Sequence, residues 1–150
     1  MPVVFVIGRV VFIVYFIFAG LQRLMNVTAS ADYFAHTFVV PDALERATTQ
    51  LTNLIGLSTP TVLAMLAGIV ELAAGLLIAF NVGTRAMAIV LIVFTAVEIY
   101  YTHNFWAVTG PQREALMVGA VLHVSLIGGL LAFVALGSSQ PGEPDRRGDV

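Results

Sequence analysis

Four long apolar stretches constrain this 150-residue chain more than any other feature of its sequence. A helix needs about 20 mainly apolar residues to cross a hydrocarbon layer about 30 Å thick, and each stretch is of that length. The stretches are continuous rather than alternating, which favours membrane-spanning helices over the strands of a β-barrel. We therefore predict helices at about residues 3–21, 61–82, 85–103 and 115–136.

The charge content agrees with this interpretation and excludes a soluble domain. Only 11% of the residues are charged and the mean hydropathy is +0.93, whereas about a quarter of the residues of a soluble domain are charged. The net charge of −2 gives no basic surplus, so we expect no nucleic-acid partner. The composition instead indicates the lipid bilayer as the partner and an all-α membrane protein as the fold class.

The connections predict an up-down bundle with one unusual loop. Residues 81–84 form a tight turn, so the second and third helices make an antiparallel hairpin. The first connection, residues 22–60, is long, and its second half carries apolar residues at helical spacing. Asp42 resembles the start of a capping box there and Gly56 a helix stop. We predict an amphipathic segment that lies at the membrane interface or folds over the bundle.

The ends of the chain complete the predicted organisation. Residues 1–137 are expected to form a single membrane domain, and residues 138–150, rich in Gly, Pro, Asp and Arg, a disordered tail. Four crossings place both termini on one side of the membrane. Three arginines fall on each side, so the charge count leaves the orientation open, and the long first loop favours termini inside.

The first apolar stretch also admits an interpretation as a signal peptide. Arg9 would be its basic start, and the small residues 29–31 its cleavage site. Seven apolar or small residues precede Arg9, however, and a polar segment separates the apolar run from the small residues. These two features favour a retained membrane helix.

Ionisable residues inside a membrane span are costly unless they are paired or functional. At 1.5 Å per residue, Arg9 lies roughly 9 Å into the first helix, and Glu71 lies roughly 15 Å into the second helix from the same side. We therefore predict a buried polar pair between Arg9 and Glu71. Two roles stay open for it: an ion pair that fixes helix order, or a carboxylate that responds to protons or ligand in a polar pocket.

A second polar set collects towards the opposite side of the membrane. We predict a candidate polar pocket from four side chains: Arg23, Glu98, His103 and His123. Histidine and carboxylate side chains ligate metals, but no HxxH or HExxH spacing is present, so we expect no metal ion. A single histidine on an apolar helix is also typical of a hydrogen-bonded core residue, and no catalytic residue can be assigned.

Five short motifs occur in a recognisable order along the chain: Gly8-Arg9, residues 18–23 (FAGLQR), residues 71–77 (ELAAGLL), Gly83-Thr84-Arg85 and residues 103–106 (HNFW). Together, over roughly residues 5–135, they resemble the DoxX family of small membrane proteins. The resemblance implies a four-helix, multi-pass protein of the bacterial cytoplasmic membrane. Some relatives are linked to quinone-dependent sulfur oxidation, and others to membrane complexes that handle oxidative stress.

We therefore expect an accessory subunit of a redox or oxidative-stress-related membrane complex, without catalytic activity of its own. Its polar interior would offer a site for a quinone or another lipid-soluble ligand, and no further cofactor is expected. The absence of cysteine excludes thiol–disulfide chemistry and Cys-ligated clusters in this chain. The alternative is a small transporter or channel component, since buried carboxylates and histidines can relay protons. Four helices would then need a homo-oligomer to form a pathway. An enzyme acting on a membrane substrate ranks last, because no nucleophile–base spacing is present.

Overall fold

The computed structural model of the chain describes residues 3–37 and 42–136, and the predicted tail at residues 138–150 lies outside them. The described residues form six helices and no strand: α1 Val3–Met25, α2 Val27–Thr37, α3 Asp42–Ile55, α4 Thr59–Ala79, α5 Thr84–Thr102 and α6 Pro111–Leu136. Four of these helices, α1, α4, α5 and α6, are long and apolar enough to cross a membrane. The predicted all-α fold with four transmembrane helices is therefore confirmed.

The four long helices pack in a ring in chain order. α1 lies along α4, α4 contacts α5, and α5 lies along α6. The aromatic side chain of Phe12 on α1 contacts Gly129 and Phe133 of α6. α1 therefore also touches α6, and the four helices form a closed arrangement. We call the end with the α4–α5 turn the turn end, and the end where α1 and α5 finish the loop end.

Glycines set the register between α1 and α4. A Cβ atom added to Gly20 would lie 2.6 Å from the backbone nitrogen of Leu72 and 2.7 Å from the carbonyl oxygen of Gly68. One added to Gly75 would lie 3.0 Å from the side chain of Ile17. Contacts this close hold the two backbones together at the level of these residues, as small residues do between membrane helices.

The buried apolar core occupies the turn end of the bundle. It consists of side chains from all four long helices: Ile13, Phe16, Ala74, Ile78, Ala88, Leu91, Leu130 and Phe133. Many other large apolar side chains on the long helices are exposed in the isolated chain. A bilayer covers such side chains, so their exposure agrees with a membrane-spanning bundle.

The first connection is more helical than predicted. The expected amphipathic segment corresponds to α3, which begins at Asp42, and the chain leaves it at Gly56 with a φ of 70°. α1 extends beyond the predicted residue 21, and the additional helix α2 follows after Asn26 and packs against α4. The prediction ended where the apolar run ends, but polar residues such as Gln22 continue a helix when neither Gly nor Pro interrupts it.

Candidate functional site

A buried charge cluster at the loop end is centred on Arg23. The Nε atom of Arg23 lies 3.4 Å from Oε2 of Glu71, whose side chain is 1% exposed. A guanidinium N–H of Arg23 also donates to a carboxylate oxygen of Glu98. The rings of Phe34 and Phe94 lie 5.9 Å and 5.5 Å from the guanidinium carbon. Three helices, α1, α4 and α5, therefore meet at one arginine, with aromatic rings at cation–π distance.

His123 on α6 extends this cluster to the fourth transmembrane helix. Its Nε2 atom lies 3.7 Å from Oε2 of Glu98 and 3.2 Å from the hydroxyl oxygen of Tyr15. Its Nδ1 atom lies 2.8 Å from the carbonyl oxygen of Gly119, one turn earlier on the same helix. The ring of His103 stands next to it, with 4.3 Å between the two ring centroids.

His103 follows the last residue of α5 and fits against a glycine of α6. A Cβ atom added to Gly119 would lie 2.2 Å from Cδ2 of His103, so any larger residue at 119 would displace the ring. The Nδ1 atom of His103 lies 2.8 Å from the hydroxyl of Thr102. Burial, together with the neighbouring His123, lowers the pKa of His103 below its usual value of 6.5, and the carboxylate of Glu98 offsets part of that shift.

The structure brings together the four side chains of the predicted polar pocket, Arg23, Glu98, His103 and His123. It adds Glu71, which the sequence reasoning assigned to a different pair. It also adds Tyr15, which that reasoning missed. Tyr15 lies eight residues before Arg23, so the two side chains share one face of α1 about two turns apart. This spacing is the feature of the sequence that could have identified Tyr15 as a member of the site.

The ion pair predicted between Arg9 and Glu71 is not formed. Arg9 donates instead to the side-chain oxygen of Asn81 in the α4–α5 turn, and that oxygen also accepts from the hydroxyl of Thr84 at 3.2 Å. The prediction assumed that both helices begin at one level. The glycine contacts give a different register, in which Arg9 is level with the turn, about 12 residues or roughly 18 Å from the level of Glu71.

A cavity of about 950 Å³ lies beside the charge cluster, between α1, α2, α4 and α5. Arg23 and Glu98 line it, whereas Glu71, His103 and His123 lie behind its wall. Its walls are rich in aromatic side chains: Tyr15, Phe18, Tyr33, Phe34, Phe94 and Tyr101. Cavities that bind small molecules typically measure about 300–1,000 Å³ and combine apolar walls with a few polar groups.

The chemistry of the cluster is that of acids, bases and hydrogen bonds. Arg23 faces two carboxylates, which together carry one more negative charge than the guanidinium neutralises. Within the described ranges, no group of three His, Asp or Glu side chains is arranged to hold a metal ion.

Four transmembrane helices with a buried charge cluster beside a cavity define a small integral membrane protein with a candidate ligand site. The family can also be identified. The model of the DoxX family matches residues 4–104, and the chain belongs to that family. The chain is also similar to the inner membrane protein YphA of Escherichia coli (strain K12). The two are 26% identical over 141 residues, which are 94% of this chain and 86% of YphA. No solved structure is significantly similar to the chain.

Proposed function

We propose that this DoxX-family protein binds a lipid-soluble aromatic ligand of the quinone type in the cavity between α1, α2, α4 and α5. We further propose that it acts as an accessory, non-catalytic subunit of a redox or oxidative-stress-related complex. The observation that carries the proposal is the combination in one cavity of aromatic walls and a charged, hydrogen-bonding end.

The chemistry of the cavity fits a flat ring with polar oxygen atoms. Phe18, Phe34 and Phe94 supply apolar and aromatic surface for the ring. Gln22 and Asn26 at the end of α1 carry amide N–H groups that can donate to carbonyl oxygens. A ligand of this kind partitions into the bilayer, and the site lies within the span of the transmembrane helices.

The proposed accessory role follows from what the chain lacks and from its relatives. It contains no cysteine, so thiol–disulfide exchange and Cys-ligated clusters would have to be supplied by another subunit. YphA is named as an inner membrane protein, and we infer the same multi-pass location for this chain. The family resemblance, which includes members linked to quinone-dependent oxidation, supports a redox complex as the setting.

Ligand binding by full-length protein in lipid nanodiscs tests the proposal. Decylubiquinone should raise the thermal unfolding temperature in a saturable manner, because a ligand that binds only the folded state stabilises it. The substitution Ala29→Trp places a large side chain in the cavity and should abolish the shift. Ala96→Trp is the matched control, since Ala96 is an exposed residue of α5 that does not line the cavity. An equal shift in both variants would place quinone binding elsewhere, and no shift in the wild type would refute it.

A further inference from the structure

The hydrogen bonds behind the cavity wall have a defined direction. Nδ1 of His123 lies 2.8 Å from the carbonyl oxygen of Gly119. A carbonyl oxygen only accepts, so Nδ1 carries the hydrogen. In the neutral imidazole the other nitrogen, Nε2, is then an acceptor.

Tyr15 connects His123 to the cavity, and the direction of the His123 hydrogen bond fixes that of the Tyr15 hydroxyl. The Tyr15 hydroxyl lies 3.2 Å from Nε2 of His123 and has one hydrogen, which it donates to that nitrogen. Tyr15 also lines the cavity. While His123 is neutral, the Tyr15 hydroxyl oxygen therefore has lone pairs, and no hydrogen, left for a ligand that reaches it from the cavity.

We propose that the cavity takes an aromatic ligand bearing a hydroxyl group, a phenol or a quinol, whose O–H donates to the Tyr15 oxygen, and that Tyr15 and His123 together accept its proton. This inference rests on the proposed function and specifies the chemical form of the ligand. Tyr15 is the residue that contacts the ligand. His123 is a positioning residue, because it acts through Tyr15.

The proposed step moves protons only, so it needs neither an oxidant nor a reductant. The ligand O–H bond breaks, Tyr15 takes that hydrogen, and its own hydrogen moves to Nε2 of His123. The ligand is left as a phenolate-type anion and His123 as an imidazolium. Tyr15 is unchanged, but its hydrogen now points into the cavity, where it donates to the ligand oxygen.

The groups around His123 suit this transfer. Glu98 on α5 places a carboxylate oxygen 3.7 Å from Nε2, which stabilises an imidazolium. The ring of His103 lies next to that of His123 at a tilt of 44°, with 4.3 Å between the ring centroids. Arg23 on α1 and Glu71 on α4 belong to the same cluster, and Arg23 holds the other oxygen of Glu98. Binding of a hydroxyl donor should therefore be strongest while Nε2 of His123 accepts the hydrogen of the Tyr15 hydroxyl.

Histidine NMR tests the hydrogen-bond direction without any ligand. The chain has three histidines, so full-length protein with ¹⁵N-labelled imidazoles gives three pairs of signals. At pH 8 His123 should be the Nδ1–H tautomer, and Tyr15→Phe should move its Nε2 signal while leaving that of His36 in place. His36 is the internal control, because it is exposed and its Nδ1 contacts a carbonyl of its own helix. An Nε2–H tautomer at pH 8, or an Nε2 signal that ignores Tyr15→Phe, would overturn the proposal.

A pair of probes tests the ligand: one has a hydroxyl group, and in the other a methyl group replaces the hydroxyl hydrogen. At pH 8, 4-heptylphenol should bind nanodisc-embedded protein about tenfold more tightly than 4-heptylanisole, the size of effect that one hydrogen bond gives. Tyr15→Phe should remove this preference. Tyr100→Phe, which removes an exposed hydroxyl outside the cavity, should keep it.

The outcomes separate the two proposals. Equal binding of both probes would overturn the preference for a hydroxyl donor and leave a ligand-binding cavity standing. A preference that survives Tyr15→Phe would overturn the role of Tyr15. No binding of either probe or of decylubiquinone would overturn the proposed function together with this inference.

Discussion

Each end of the bundle contains an arginine of α1, buried at the turn end and partly buried at the loop end, and the two have different partners. At the turn end, Arg9 is 6% exposed and donates to the neutral side chain of Asn81. At the loop end, Arg23 meets two carboxylates, Glu71 and Glu98, beside a cavity. A neutral partner leaves the first arginine as an anchor for a turn. Charged partners place the second arginine in the candidate site, beside the cavity in which we propose that a ligand binds.

The packing of side chains also differs between the two ends of the bundle. The turn end contains the continuous apolar core around Phe16 and Ile78. The loop end contains the cavity and the polar cluster, together with the close contact of Gly20 with α4. The apolar core and the candidate site therefore lie at opposite ends of the bundle. Substitutions at the two ends should have different consequences.

The largest expected effect is the loss of the loop-end arginine. Arg23→Met leaves Glu71 and Glu98 buried without their cation, which should lower the free energy of unfolding by about 3–5 kcal/mol. Arg9→Met removes a hydrogen bond to a neutral group and should cost only about 1–2 kcal/mol. Reversible unfolding in mixed detergent micelles measures both. Equal costs would show that the two arginines contribute equally to stability. Adding Glu98→Gln to Arg23→Met should recover part of the loss.

The glycine contact at the loop end comes next. Gly20→Ala places a Cβ atom against backbone atoms of Gly68 and Leu72, which cannot move as a flexible side chain can. The substitution should destabilise the protein by about 2–3 kcal/mol through overpacking. Gly8→Ala is the matched control in the same helix, because a Cβ atom there meets nothing within 4 Å. It should leave the melting temperature unchanged or raise it. A stable Gly20→Ala variant would show that α1 and α4 can separate at this level.

The turn-end anchor should show a smaller effect that can be divided into two parts. Asn81 has a φ of 62°, a conformation that most residues with a Cβ atom adopt at a cost. Asn81→Gly keeps that conformation and loses the Arg9 bond, so it should cost about 1 kcal/mol. Asn81→Ala adds backbone strain and should cost about 2 kcal/mol. Thermal unfolding of both variants checks the difference. An equal cost would mean that the turn tolerates either residue and that the hydrogen bond alone matters.

The smallest effect is a pH dependence at the loop end. The pKa of His103 is lowered in the folded protein, mainly by burial, so the folded state favours the neutral ring. This contribution to stability is present above the usual pKa of 6.5 and is lost as the pH falls through the lower, folded-state value. The melting temperature should therefore drop less between pH 8 and pH 5 in His103→Phe than in the wild type. The phenylalanine ring cannot be protonated, but it still fills the space next to Gly119. An identical drop in both proteins would exclude His103 as a source of the pH dependence.

The sequence predicted the transmembrane helices well because the bilayer imposes one simple requirement. About 20 consecutive apolar residues identify a span whatever it packs against, so all four spans were placed correctly. Helix ends were less accurate at α1, because hydropathy reports the thickness of lipid and not the end of hydrogen bonding. The short helix α2 was missed because it is neither apolar throughout nor marked by a capping box.

Pairing of the buried charges was harder to predict, because it depends on register. The depth of Arg9 along its own helix was a sound estimate, but the level of Glu71 relative to it is set by the contacts of Gly20 and Gly75. A shift of a few residues changes which arginine meets which carboxylate. The set Arg23, Glu98, His103 and His123 was predictable as a group because the depth of each along its own helix places it in the half of the bundle at the loop end. The membrane orientation stays a prediction.

The position of Arg23 also bears on how the protein is made. Glu98 lies 75 residues after Arg23 in the chain, so synthesis at about 5–20 residues per second separates them by roughly 4–15 s. Until Glu71 and then Glu98 have been made, α1 carries an arginine without its full set of acidic neighbours, and we expect its side chain to extend towards the headgroups to keep its charge in water. α1 can take its final place only after the α4–α5 hairpin has entered the membrane. We therefore expect the charge cluster to influence the order in which the bundle assembles, with α1 docking late.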